Sequence, residues 1–161
     1  MGNALSLGTS IAIPLLGGTS IGISMRDDVK TWFPTIKKPS WQPPNWLFGP
    51  VWTVLYTLMG ISSWRVYSKA GLMSKPMFLY AVQLALNFLW SPLFFKWHQL
   101  PAASADITAL LGVLGLTIVE FNKVDGAAAT MLYPYLAWTL FATALTYNIT
   151  MNNPSSGSSK E

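Results

Sequence analysis

Apolar residues run in long blocks along this chain, and polar residues gather in the gaps. The blocks extend from about Ala4 to Met25, Trp46 to Tyr67, Pro76 to Phe95, Ala102 to Phe121 and Ala127 to Met151. Each is about 20 residues or longer, the length a helix needs to cross a hydrocarbon core of roughly 30 Å. The pattern predicts an all-α fold: a polytopic membrane protein, one five-transmembrane-helix bundle over residues 1–151. A polar tail, 152–161, has the composition of a flexible segment. The first block holds no Lys or Arg ahead of Arg26 and is too long for a signal-peptide core, so it reads as a span.

Three of the gaps are compact: Lys69 to Lys75, Lys96 to Pro101 and Asn122 to Gly126. Such short connections force consecutive helices to lie antiparallel as neighbours. The longest gap, 26–45, reads RDDVKTWFPTIKKPSWQPPN and is too rich in Pro and charge to span lipid. Its stretch from Trp32 to Trp46 is a candidate pocket lid, stiffened by proline and able to cover a cavity with aromatic rings. Pro14, Pro50, Pro92 and Pro134 fall inside predicted spans. Membrane helices tolerate proline when neighbours satisfy the freed carbonyl, so kinks that open space between helices are expected. No internal repeat is visible.

Composition points to the same solvent. The chain is 52% hydrophobic and only 10% charged, where soluble domains carry about 25%. A net charge of +4 raises nucleic acid as a partner, but the basic residues are scattered and form no stripe. The expected partner is the lipid bilayer, not nucleic acid. Arg65, Lys69, Lys75 and Lys123 fall on one side of a five-span topology. Arg26, Lys30, Lys37, Lys38, Lys96 and Lys160 fall on the other. That bias places the long loop and the C-terminus in the cytosol. Cysteine is absent, and His98, the one histidine, lies in a turn. Neither a thiolate metal site nor a Ser-His-Asp triad can be assembled, and axial haem ligation by His98 is not expected.

Candidate chemistry lies in the tryptophans and in a few polar residues within the spans. Trp46, Trp64 and Trp97 sit at span ends, as an interfacial belt requires. Trp52 and Trp138 lie deeper, where an indole N–H needs a partner or a ligand. Two such rings facing one cavity could sandwich a flat macrocycle. Gln83 and Asn87 are four residues apart and share a helix face, which Trp90 extends; Tyr56 shares a face with Trp52. Intramembrane amides must face the bundle or a cavity. Asp106, near the start of the fourth block, is expected to pair with Lys96 or Arg26. Glu120 is expected to reach the interface from a span end.

The segment WFPTIKKPSWQPPNWLFGPVWTVLYTLMG, Trp32 to Gly60, resembles the signature of the translocator protein family (TspO/MBR, the peripheral-type benzodiazepine receptor or tryptophan-rich sensory proteins). LYAVQLALNFLWSPLFF in the third block and LYPYLAWTLFATALTY in the fifth are similar to further motifs of that family, in the same order. The likeness covers roughly residues 30 to 150, while the first block matches only in character. It implies a dimeric five-helix bundle whose pocket opens toward the long loop. That pocket would bind porphyrins, haem, sterols or benzodiazepine-type compounds, with no cofactor required. The ligand-binding set it suggests is Trp41, Trp52, Tyr56, Gln83, Asn87, Trp90, Trp138, Ala142 and Leu145.

The same resemblance matches Trp52 and Trp138 to tryptophans associated with light-dependent porphyrin breakdown in bacterial members, which makes an enzyme the first rival to a binding protein. An ion-coupled transporter fits poorly, because intramembrane charges are few and repeats absent. A membrane scaffold for partner proteins is the remaining rival. Leu145 and Tyr147 match the start of a sterol-recognition pattern, but no Lys or Arg follows until Lys160. The implied location is the outer mitochondrial or secretory membranes in a eukaryote, or the cell envelope in a bacterium. Three short motifs remain: a myristoylation pattern from Gly2 to Ser6, a sequon at Asn148-Ile-Thr150, and Ala81-xxx-Ala85, a candidate close-packing or dimer contact.

Overall fold

The structure is a computed structural model and describes residues 3–154. Gly2 of the myristoylation pattern and the tail beyond Pro154 lie outside the described residues. The helices are α1 (Ala4–Ser24), α2 (Arg26–Thr31), α3 (Phe48–Ala70), α4 (Lys75–Ser91), α5 (Leu100–Val124), α6 (Gly126–Met131) and α7 (Tyr133–Asn152). Short 3₁₀ turns at Phe33–Thr35 and Asn45–Leu47 interrupt the long connection, and a π-helical turn at Pro92–Lys96 extends α4. Among the described residues, four helical runs are long and apolar enough to cross a membrane: Ala4–Ser24, Lys75–Lys96, Leu100–Val124 and Gly126–Asn152. The predicted second span is the exception. Its helix, α3, has 23 residues, but serines, Arg65 and Lys69 dilute its apolar character.

The prolines account for several boundaries. Pro50 was expected inside a span but occupies the first turn of α3, where a missing N–H leaves no bond unmade. Pro134 likewise stands in the first turn of α7, so the predicted fifth span is broken at Leu132 into α6 and α7. Pro92 cannot donate to the carbonyl four residues back, and the helix widens into the π turn there. Only Pro14 is interior to its helix, and α1 runs unbroken through it.

Helices α1 and α3 pack together, α4 lies on α5, and α5 on α7. Gly60 allows the first of these contacts. A methyl group there would lie 2.7 Å from the Ser10 carbonyl oxygen and would collide with the Ile11 backbone. The central core joins Leu55, Met59 and Val66 of α3 to Leu114 and Phe121 of α5, with Leu132 and Tyr135 beside them. A second cluster at the loop end unites Phe33, Phe94, Leu100, Leu145 and Ile149. Helix α1 contributes little, since Pro14 is its one buried residue. Ala81 and Ala85 are both exposed on the outer side of α4.

Several hydroxyls and charges are satisfied locally, as an apolar solvent favours. Thr139, Thr143 and Thr146 each return a hydroxyl proton to the carbonyl four residues back. At the end opposite the long loop, Asp125 closes the α5–α6 corner. It caps α6 by accepting from the Ala128 N–H at 3.1 Å. It also pairs with Lys69 at 2.8 Å and Arg65 at 2.9 Å, tying that corner to α3. The Lys69 ammonium first, and then the Arg65 guanidinium and the Ala128 N–H, hold its carboxyl well below the usual carboxylate range against the opposing effect of burial. Glu120 meets Lys75 at 3.0 Å and Lys123 at 2.8 Å.

Candidate functional site

A cavity of about 740 Å³ lies between α1, α3 and α4 on the side of the long loop. Its inner wall is aromatic, formed by Trp52 and Tyr56 of α3 and by Phe88 and Trp90 of α4. Phe33, Phe48 and Phe95 close the loop end. Exposed lining residues on α1 (Thr19, Gly22, Ile23) and on α3 (Gly49, Thr53) mark an opening between these two helices. Arg26, Asn45 and Trp46 stand at the loop-side rim, all exposed.

The helix surfaces set this geometry. Trp52 and Tyr56 are one turn apart and stack with ring centroids 5.2 Å apart. Gly18 on α1 lets Tyr56 approach, since a Cβ there would collide with its ring. Asn87 projects from α4 to the same wall and orders a buried polar chain. The Tyr56 hydroxyl donates to Asn87 Oδ1 at 2.7 Å. Asn87 Nδ2 donates to the Tyr135 hydroxyl at 3.0 Å, and that hydroxyl donates to Gln83 Oε1 at 2.9 Å. Three helices are thereby joined behind the cavity. Gln83 Nε2 and the indole nitrogens of Trp90 and Trp138 are buried and have no protein partner among the described residues.

Four of the residues expected in a pocket line this cavity: Trp52, Tyr56, Asn87 and Trp90. The others lie elsewhere. Gln83 is fully buried behind Asn87. Trp138 is not part of the lining; its ring meets Phe48 edge to face at 5.6 Å and packs on Phe141. Trp41, expected in the lid, also leans on Phe141, at 5.7 Å. Ala142 borders a small recess of about 10 Å³ that shares Trp52, Asn87 and Trp90 with the main cavity. Leu145 belongs to the loop-end core, while Tyr147 is exposed and bonded to Thr108 at 2.8 Å. These two residues of the sterol-like pattern therefore point to different sides of α7.

Asp106 departs from its expected pairing. Both carboxylate oxygens are buried without a hydrogen-bond partner, and neither Lys96 nor Arg26 forms an ion pair with it. Arg26 stands instead at the cavity rim, and Lys96 is exposed on the π turn. His98 stacks on Trp32 at 4.0 Å, outside the cavity lining. Among the described residues no group of three or more metal-ligating side chains occurs.

Sequence reasoning missed the contribution of α1. Gly18, Thr19, Ile21, Gly22 and Ile23 form one side of the cavity, and nothing in that apolar block distinguishes them from lipid-facing residues. Trp46, expected as a belt residue and as the end of the candidate lid, stands at the mouth.

Long apolar helices around an aromatic, partly open cavity define a multi-pass membrane protein with an internal pocket. A sequence profile described as the TspO/MBR family matches residues 10–151, and the chain belongs to that family. It is 39% identical to a bovine (Bos taurus) "Translocator protein" over 145 residues, 88% of this chain and 86% of that one. A "Tryptophan-rich protein TspO" from Archaeoglobus fulgidus is 40% identical over 152 residues, 94% of this chain and 99% of that one. The human "Translocator protein" is 41% identical over 126 residues, 76% of this chain and 75% of that one.

Proposed function

We propose that this protein binds flat lipophilic molecules, porphyrins or haem foremost and sterols as a second class, within the membrane, and acts as their translocator, sensor or regulator. The observation that carries the reading is the 740 Å³ cavity walled by Trp52, Tyr56, Phe88 and Trp90. Its volume falls within the roughly 300–1,000 Å³ of small-molecule pockets, and its wall is apolar with few polar groups. Flat aromatic rings favour flat partners through offset stacking. The reading takes α3 as a fifth crossing. Its 23 residues would extend about 34 Å at 1.5 Å per residue. Two of its serines, Ser62 and Ser63, are turned inward and bonded to backbone carbonyls.

The test is quenching of tryptophan fluorescence by protoporphyrin IX, in the dark, with protein in neutral detergent. Saturable one-to-one binding is expected. Trp52→Phe should weaken it about two- to tenfold, the range set by an aromatic contact of roughly 0.5–1.5 kcal/mol. Trp138→Phe should leave it nearly unchanged, because that ring is not part of the cavity lining. Quenching that merely follows micelle partitioning would sink the porphyrin reading. Porphyrin bleaching under illumination beyond that in empty micelles would favour the enzyme instead.

A further inference from the structure

We infer that the cavity selects ligands with an acidic end, held at the mouth by Arg26 while the apolar body lies against the Trp52–Tyr56 wall. The inference rests on the cavity being a binding site, and it adds a charge and an orientation to that reading. Among the described residues, Arg26 is the one charged residue in the lining. It opens α2 immediately after the Met25 corner, where α1 ends, and its side chain is exposed. Asp27 and Asp28 follow it in sequence, yet neither forms an ion pair with it and neither lines the cavity. The guanidinium is therefore available at the rim, and its planar fork of donors matches a carboxylate.

Asn45, across the rim, adds to this. Its Oδ1 accepts from Gln42 Nε2 at 3.1 Å, which leaves its own amide N–H group to donate outward. The deep end offers an acid much less. Asn87 Oδ1 is occupied by the Tyr56 hydroxyl and one Asn87 Nδ2 proton by Tyr135, so what remains there is neutral donors, the second amide proton and the Trp90 indole N–H, and no cation. A carboxylate pushed to that end would lose water without gaining a counter-charge, a costly transfer. At the rim it keeps partial hydration and gains Arg26. The ligand is thus oriented with its rings inward and its acid outward.

The experiment compares protoporphyrin IX, a dicarboxylic acid, with its dimethyl ester, using wild type, Arg26→Gln and Arg26→Lys in neutral detergent free of anionic lipid. The wild type should favour the acid over the ester by about fivefold more than Arg26→Gln does, the scale of one partly exposed charge-assisted contact. Arg26→Lys should restore most of that preference, and the ester should bind all three proteins alike, which also certifies that the variants are folded. An equal acid preference in wild type and Arg26→Gln would overturn the inference and leave the cavity reading standing. So would a guanidinium that serves only lipid headgroups, because it too would produce no acid preference here. Failure of both acid and ester to saturate the wild type would overturn the cavity reading itself, and this inference with it.

Discussion

Tyr56 serves two surfaces at once. Its ring stacks on Trp52 in the cavity wall, and its hydroxyl starts the hydrogen-bond chain that runs through Asn87 and Tyr135 to Gln83. Tyr56→Phe keeps the ring but leaves the buried Asn87 carbonyl oxygen without its donor. We predict a loss of about 1 kcal/mol in stability, given the cost of an unmade buried bond and the modest values found inside membranes. A lowered thermal midpoint in detergent with little change in porphyrin affinity is the expected result. Much of this wall could be read in the sequence, because Trp52 and Tyr56, and likewise Asn87 and Trp90, are one turn apart on their helices. Trp138 was not readable in the same way. Whether its ring meets the cavity depends on the rotation of α7 and on its neighbours, Phe48, 90 positions earlier, among them. Arg26 gave no local signal either, since one arginine in a charged loop acquires a role only when α1 turns at Met25.

At the scale of helices, the apolar blocks located the elements well and their ends less well. The block from Ala102 to Phe121 became Leu100–Val124, two residues longer at its start, where Pro101 sits in the first turn, and three longer at its end, up to the Asp125 corner. The single block from Ala127 to Met151 became two helices, because Asp125 starts a short one and Leu132 ends it. Hydropathy cannot see that break, which is made by capping and by contact with α3. The corner itself is open to test. Asp125→Ala removes an N-cap and leaves Arg65 and Lys69 without their counter-charge. A destabilisation of about 2 kcal/mol is expected.

The pH dependence of this corner has a definite sign. Because the folded-state pKa of Asp125 is depressed, its stabilisation is complete above the unfolded-state value of about 3.9 and is lost as pH falls below it toward the folded value. The thermal midpoint of the wild type should therefore fall below about pH 4. The variant should show a shallower fall. Parallel curves for the two proteins would contradict this assignment.

For the whole molecule, the fold is a bundle with one lightly buried wall, α1. Helix α1 meets α3 closely at Gly60 and buries only Pro14, while its C-terminal half lines the cavity. The sequence made the bundle legible through five blocks and their short connections, and the family motifs named the wall of α3 and α4. It left the position of α1 open, because a helix apolar all round shows no preferred face. That missing wall decides whether Trp52 and Trp90 face a ligand or a packed neighbour, so the cavity became visible only in three dimensions.

The central claim is that ligand occupies this cavity, and filling the cavity tests it most directly. Gly22 lines the space, and a Cβ placed there meets nothing within 4 Å. Gly22→Phe should therefore fold as the wild type does while its ring takes up the binding volume. Saturable protoporphyrin quenching is predicted to weaken at least about tenfold, the equivalent of roughly 1.4 kcal/mol, with the thermal midpoint unchanged or slightly higher. Undiminished one-to-one binding by a folded Gly22→Phe protein would place the ligand elsewhere and contradict the account.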